Sequence, residues 1–274
     1  MHYDAKLPQS RLLRKTDCLT HIYFKKLRPM KKIIVLLVLF ATLSMEATAQ
    51  YNDLRFGMEL SPSFSWLTTD DNQINRSGTN LGLKLRMLGE IQFQENYALA
   101  TGIGFHFNAG GQLQHDLGGR FWPNSDLGPG LDSLPSGTNL RYNLQYVEIP
   151  VGLKMRTREF GYFRYYLQPA LTIGFNTQAR GDITGRGVGS DAEKLNISQD
   201  VRFFNLAWGI GAGVEYSISE STALVGGVAF QLGFSDMNRD DGQYVDDRVS
   251  PPELKDEDSK TKNNALTITL GVMF

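Results

Sequence analysis

Beyond residue 49 the side chains that could move a proton near neutral pH are two histidines, His106 and His115, set among scattered carboxylates and serines. Histidine titrates in the right range for general acid–base work, but it needs a nucleophile and an orienting acid beside it. No Ser/His/acid set stands at a recognisable spacing. The sequence has no Gly-x-Ser-x-Gly, no P-loop and no His-Glu-x-x-His. Gly102-Ile103-Gly104 lies inside an alternating stretch with no helix to follow, so it does not read as a dinucleotide site. Asp236-Met237-Asn238-Arg239-Asp240-Asp241-Gly242 spaces oxygen ligands somewhat as a calcium loop does. Gly242 falls one position late and Arg239 intrudes, so a solvated acidic loop is the expectation. The single cysteine, Cys18, precedes an export signal and leaves no thiol chemistry downstream. No catalytic, cofactor-binding or metal-binding residue is therefore assigned, and no cofactor is expected.

The remaining candidates for chemistry are charges in an odd place. Glu59, Lys84, Arg86, Glu90, Lys154, Arg156, Arg164 and Glu215 share one phase of a two-residue repeat whose other phase is apolar. In β-strands that period puts them on one face of a sheet. Phe56, Met58, Leu60, Phe64 and Trp66 alternate with Arg55, Glu59, Ser61, Ser63 and Ser65. The same holds for Leu81 to Phe93, Tyr97 to Phe107, Phe163 to Phe175, Phe204 to Tyr216, Leu224 to Phe234 and, most cleanly, Leu266 to Phe274. A further strand runs from about Leu140 to Arg156; its phase slips near Tyr146-Val147, which predicts a bulge that would also accommodate Pro150 in mid-strand.

These strands run to ten residues or more, whereas globular strands average about five or six and tilted membrane-spanning strands need about 9–11. Length thus favours a membrane barrel over a soluble sandwich. No run after residue 50 could form a transmembrane helix, and lipid tolerates only helices or closed barrels. Short connections at Gln94–Asn96, Arg158–Gly161 and Ser217–Ser221 alternate with long polar ones at Thr68–Gly78, Gly111–Asn139, Ala179–Asp200 and Asp236–Asn263. The expected fold is an all-β, eight-stranded antiparallel up-and-down transmembrane barrel with short periplasmic turns and long extracellular loops.

A barrel of eight strands is just wide enough for side chains to fill. The charges of both signs should pair in a plugged lumen, with Gly102, Gly104, Gly209, Gly211, Gly213 and Gly227 making room for them. Trp66, Tyr97, Tyr142, Tyr162, Phe163, Tyr216 and Phe234 are expected in the interfacial girdles. Phe121-Trp122-Pro123, in a long loop, should pack that loop onto the rim rather than meet a partner.

Met30-Lys31-Lys32, the apolar run Ile33–Phe40 and Ala47-Thr48-Ala49 form a basic region, a short apolar core and a cleavage site, so residues 30–49 read as a signal peptide. Residues 1–29 read as a non-native N-terminal extension, and 50–274 as the barrel domain. Residues 1–49 hold nine basic and three acidic side chains, a net of +6; the whole chain is −1, so the remainder is −7. That acidity argues against nucleic acid as a partner.

Tyr146-Val147-Glu148-Ile149-Pro150-Val151-Gly152-Leu153-Lys154 resembles the Tyr-x-Glu-Ile-Pro-x-x-x-Lys strand of PorT-like outer-membrane barrels of Bacteroidota. Leu266 to Phe274 is similar to the terminal strand that the barrel assembly machinery reads. The resemblance implies residence in the outer membrane of a Gram-negative bacterium, contact with outer-membrane lipid, and the assembly machinery as a partner during biogenesis. The expected function is non-enzymatic: structural, adhesive or accessory to a secretion or uptake complex, with a possible protein partner at the extracellular loops. The alternatives are a lipid-modifying barrel enzyme using His106 or His115 and a soluble lipocalin-like periplasmic binder.

Overall fold

The computed structural model describes residues 53–128, 130–185, 188, 192–246 and 249–274. The expected extension and signal peptide lie outside the described residues. Twelve strands follow in chain order: β1 (Asp53–Thr68), β2 (Ile74–Gln94), β3 (Tyr97–His115), β4 (Gly119–Arg120), β5 (Thr138–Arg156), β6 (Phe163–Thr184), β7 (Leu195–Asn196), β8 (Phe204–Ser217), β9 (Ala223–Gly233), β10 (Gly242–Asp246), β11 (Glu253–Glu257) and β12 (Lys262–Met273). There is no helix among the described residues.

Eight strands pair in the ring β1-β2-β3-β5-β6-β8-β9-β12, and β12 returns to β1 antiparallel. Closure removes both sheet edges, as hydrocarbon requires. The seam is held to the last residue: Phe274 N donates to Phe56 O at 2.7 Å and Phe56 N to Phe274 O at 3.2 Å. The apolar phase points outward. Leu266, Ile268 and Leu270 are exposed, while Thr267 and Thr269 between them are buried.

The barrel has two storeys. In the lower one the interior is polar and the exterior apolar. In the upper one, where β2, β3, β5 and β6 continue upward, the pattern inverts: Leu140, Tyr142 and Leu144 point inward, and Arg141 and Asn143 outward. This inversion corrects two expectations. The polar segments Thr68–Gly78, Gly111–Asn139 and Ala179–Asp200 are partly strand, because polar residues here face water outside an apolar filling. The supposed phase slip of β5 is chemical, not geometric, since Tyr146 and Glu148 both point inward.

The bulges sit on the neighbours of β5. On β3 the register shifts between His106 and Ala109, with Asn108 at φ 56°. On β6 it shifts opposite Gln145/Tyr146. Pro150 keeps its register with Thr172 and needs no bulge; Thr101 Oγ1 donates to its carbonyl at 3.0 Å.

Candidate functional site

Parity and register bring the lumen charges together from strands far apart in sequence. Near the periplasmic end, Lys154 of β5 lies 2.6 Å from Glu90 of β2 and 2.5 Å from Glu215 of β8. Arg156 contacts the same two carboxylates, 3.0 Å from Glu215 and also against Glu90. Arg55 reaches Glu215 at 3.5 Å from the mouth, and Lys154 stands 4.5 Å over the Tyr166 ring. Arg86 pairs with Glu59 at 2.7 Å. A cavity of about 60 Å³ beside Glu59, Arg86, Tyr166 and Gln231 has room for a few water molecules. Every cation therefore faces a carboxylate, the condition under which buried charge is tolerable.

Glycines make this possible. A Cβ on Gly104 would lie 2.6 Å from Arg86 Cγ, and Cβ atoms on Gly213 and Gly227 would lie 2.7 and 2.5 Å from the Tyr166 hydroxyl. Arg164 is an exception to the expected lumen set. It sits one residue into β6, at the open mouth, and pairs with Glu159 at 2.8 Å with its side chain 38% exposed.

One level up, Lys84 Nζ donates to Glu148 Oε1 and Oε2 at 3.1 and 3.0 Å and to Gln231 at 2.6 Å. His106 Nδ1 is 3.2 Å from Glu148 Oε1, and His106 Nε2 is 3.0 Å from Ser63 Oγ. The carboxylate can only accept, so Nδ1 carries the proton and Ser63 donates to Nε2. This serine–histidine–glutamate chain was invisible to linear spacing, since its members stand on β1, β3 and β5. It resembles a hydrolase triad in order. It differs in that Ser63 is fully buried and the acid is also engaged by a lysine.

Above the lumen lies an extracellular cap. Trp122 is 2% exposed, edge-on to Tyr142 at 5.4 Å, and its Nε1 donates to the Tyr142 hydroxyl at 3.1 Å. Its ring occupies the space that a Cβ on Gly181 would need. The packing expected of Phe121-Trp122-Pro123 holds. Tyr142 is thereby corrected from a girdle residue to a core residue, and burial raises its phenol pKa. Tyr162, Phe163 and Tyr216 do cluster at the lower rim, with centroids 6.2 and 5.0 Å apart, and Trp66 and Phe234 lie toward the upper one.

The loops interlock. Asn124 N and Ser125 Oγ both donate to Asp200, and Arg239 N donates to the Asp200 carbonyl at 2.9 Å. A sheet β11-β10-β4 joins the second and last long connections. The oxygen-rich run at Asp236 is tied inward by Arg202, which lies 3.2 Å from Asp236 and 2.8 Å from Asp240. Burial, then the neighbouring Asp240, raises the Asp236 carboxyl pKa; burial raises that of Glu257 as well. His115 stacks 3.9 Å from Phe121, and burial lowers its pKa to about 4. No cluster of three or more His, Cys, Asp or Glu among the described residues is arranged for a metal ion.

A closed ring with an apolar exterior, a charge-filled lumen and interlocked outer loops defines a small outer-membrane β-barrel. The model of the outer membrane protein beta-barrel domain matches residues 47–239, and the chain belongs to that family and resides in the outer membrane. No curated protein matches the chain. Among solved structures it is similar to Neisserial surface protein A, at 10% identity over 80% of this chain and 95% of that one, with a TM-score of 0.40. It is also similar to Ail, the attachment invasion locus protein of Yersinia pestis, at 11% identity over 82% and 100%, TM-score 0.31. The outer membrane protease OmpT of Escherichia coli matches at 10% identity over 83% and 99%, TM-score 0.39.

Proposed function

We propose that the protein is a non-enzymatic outer-membrane barrel of the PorT-like branch, with a plugged lumen and the extracellular cap as its working surface. It serves as an adhesive or as an accessory to a secretion or uptake complex. The observation that carries this reading is the cap itself. Four connections are locked over a private apolar core, yet the β10–β11 hairpin keeps Val245 and Leu254 exposed, paired across its strands. Aliphatic side chains held out above acidic loops suit a protein contact. The terminal strand up to Phe274 engages the assembly machinery during biogenesis, and a signal peptide at residues 30–49 directs export. The test is co-purification from outer membranes with the native chain and with Val245→Asp/Leu254→Asp. A partner held by the first and lost from the second, with the barrel still heat-modifiable on gels, is expected. Equal recovery overturns the reading.

The lipid-modifying enzyme has one observation in its favour, the Ser63–His106–Glu148 order. Against it, Ser63 faces a crowded lumen rather than lipid. Replacing Ser63 by Ala and analysing lipid A in cells separates the two readings; altered lipid A would establish the enzyme. The soluble binder does not hold, given the family and the outward apolar face.

A further inference from the structure

Charge on the outer wall is segregated by height. The lipid-facing band ends at Leu81 on β2, Val147 on β5 and Phe175 on β6. Five or six residues beyond those positions on the same strands stand Arg76, Arg141 and Arg180, all exposed. On β3, between β2 and β5, Gln112 and Gln114 occupy the same belt. The carboxylate directly across from Arg141, Asp182, already accepts from Asn143 Nδ2 at 2.8 Å and from Lys194 N at 2.7 Å. No carboxylate among the described residues pairs with the three arginines. Two are set in place by neutral neighbours. Arg76 donates to Thr79 Oγ1 at 2.9 Å and lies 5.0 Å over the Trp66 ring, and Arg141 Nε donates to Asn80 Oδ1 at 3.1 Å. Their remaining guanidinium donors point outward from a chain that is otherwise acidic.

We infer that this arc of β2, β3, β5 and β6 docks the phosphorylated sugar headgroup of the outer-leaflet glycolipid. Continuity with the apolar band identifies the occupant: a molecule whose acyl chains cover Val147 and Phe175 must present its headgroup to the wall directly above. At about 3.3 Å per residue and a tilt near 40°, the arginines stand roughly 12–15 Å above the band. A phospholipid headgroup is only about 5–8 Å deep on each side of the core. A multi-sugar headgroup reaches the belt and a phospholipid does not. Guanidinium groups offer the forked donors that phosphate accepts, and the glutamine amides supply sugar-binding donors between them.

The test uses the full barrel, delipidated in detergent, and fluorescent lipopolysaccharide followed by polarisation. The expected result is saturable binding that falls at least tenfold in Arg76→Gln/Arg141→Gln/Arg180→Gln and at least tenfold for enzymatically dephosphorylated lipopolysaccharide. Phosphatidylglycerol and inorganic phosphate should compete poorly. Because all three side chains are exposed, the variant should keep native heat-modifiable migration; if it does not, the single Arg180→Gln, whose side chain makes no hydrogen bond or ion pair among the described residues, should weaken binding about threefold. Unchanged binding in the variants, or equal competition by phosphatidylglycerol, overturns the inference.

Discussion

Lys84 and Glu148 meet across the lumen from strands that are not neighbours: Nζ lies 3.0 Å from Oε2, with β3 running between β2 and β5. Neither can reach water by a change of rotamer, since both side chains are almost wholly enclosed. The pair acts as an internal strut whose loss leaves one charge stranded.

Replacing Glu148 by Gln should therefore destabilise the barrel by about 3–5 kcal/mol, the range for breaking one side of a buried pair. Lys84→Met/Glu148→Met together should cost less than either single change, because no charge is then orphaned. Urea unfolding in detergent, read by heat-modifiable migration, checks this; additive losses would refute the strut.

The lower network makes a conductance prediction. Lys154 and Arg156 each hold both Glu90 and Glu215. Lys154→Ala/Arg156→Ala leaves two carboxylates facing each other with space and water between them. The native protein should be silent in planar bilayers and the double variant should show small cation-selective steps. Large conductance from the native protein would contradict the plugged lumen.

His115 predicts acid sensitivity confined to the cap. Its folded pKa, about 4, lies below the ordinary 6.5, so the unfolded cap binds the proton more tightly. Stability from this group is complete above pH 6.5 and is lost as pH falls toward 4, by about 3 kcal/mol in all. The raised carboxyls of Glu257 and Asp236 act in the opposite sense and offset part of it. Amide protection factors around Phe121, corrected for the intrinsic exchange rate at each pH, should fall between pH 6.5 and 4, and His115→Leu should flatten that response.

Trp122→Ala should cost about 3–5 kcal/mol and expose the cap to protease while leaving the barrel intact. Gly181→Val should do the same from the other side, since its side chain needs the space the indole fills. Cleavage within residues 116–137 is the readout.

Much of the lower storey was legible because lipid on one side and paired charge on the other enforce a period of two. Lys154, Glu90 and Glu215 announced themselves by sharing the polar phase of that repeat. The upper storey was not legible, because Leu140, Tyr142 and Leu144 keep the parity of Glu148 while reversing its chemistry. Hydropathy registers that reversal as a slip. Arg164 shared the lumen parity yet lies where the mouth opens to water, and parity carries no depth. The Ser63–His106–Glu148 chain depends on a register across β1, β2, β3 and β5, which leaves no mark on linear spacing.

The filling of the cap draws on Leu67 of the first strand, Leu113, Tyr142 and Ala179 of the third, fifth and sixth, and Met237 close to the last. The filling is complete only when the residues from Leu67 through Met237 are all in place. The outward face is thus assembled last, and an antibody raised against the finished cap would ignore every chain stalled on its way into the membrane. Surface labelling of that face would count completed insertions rather than molecules exported.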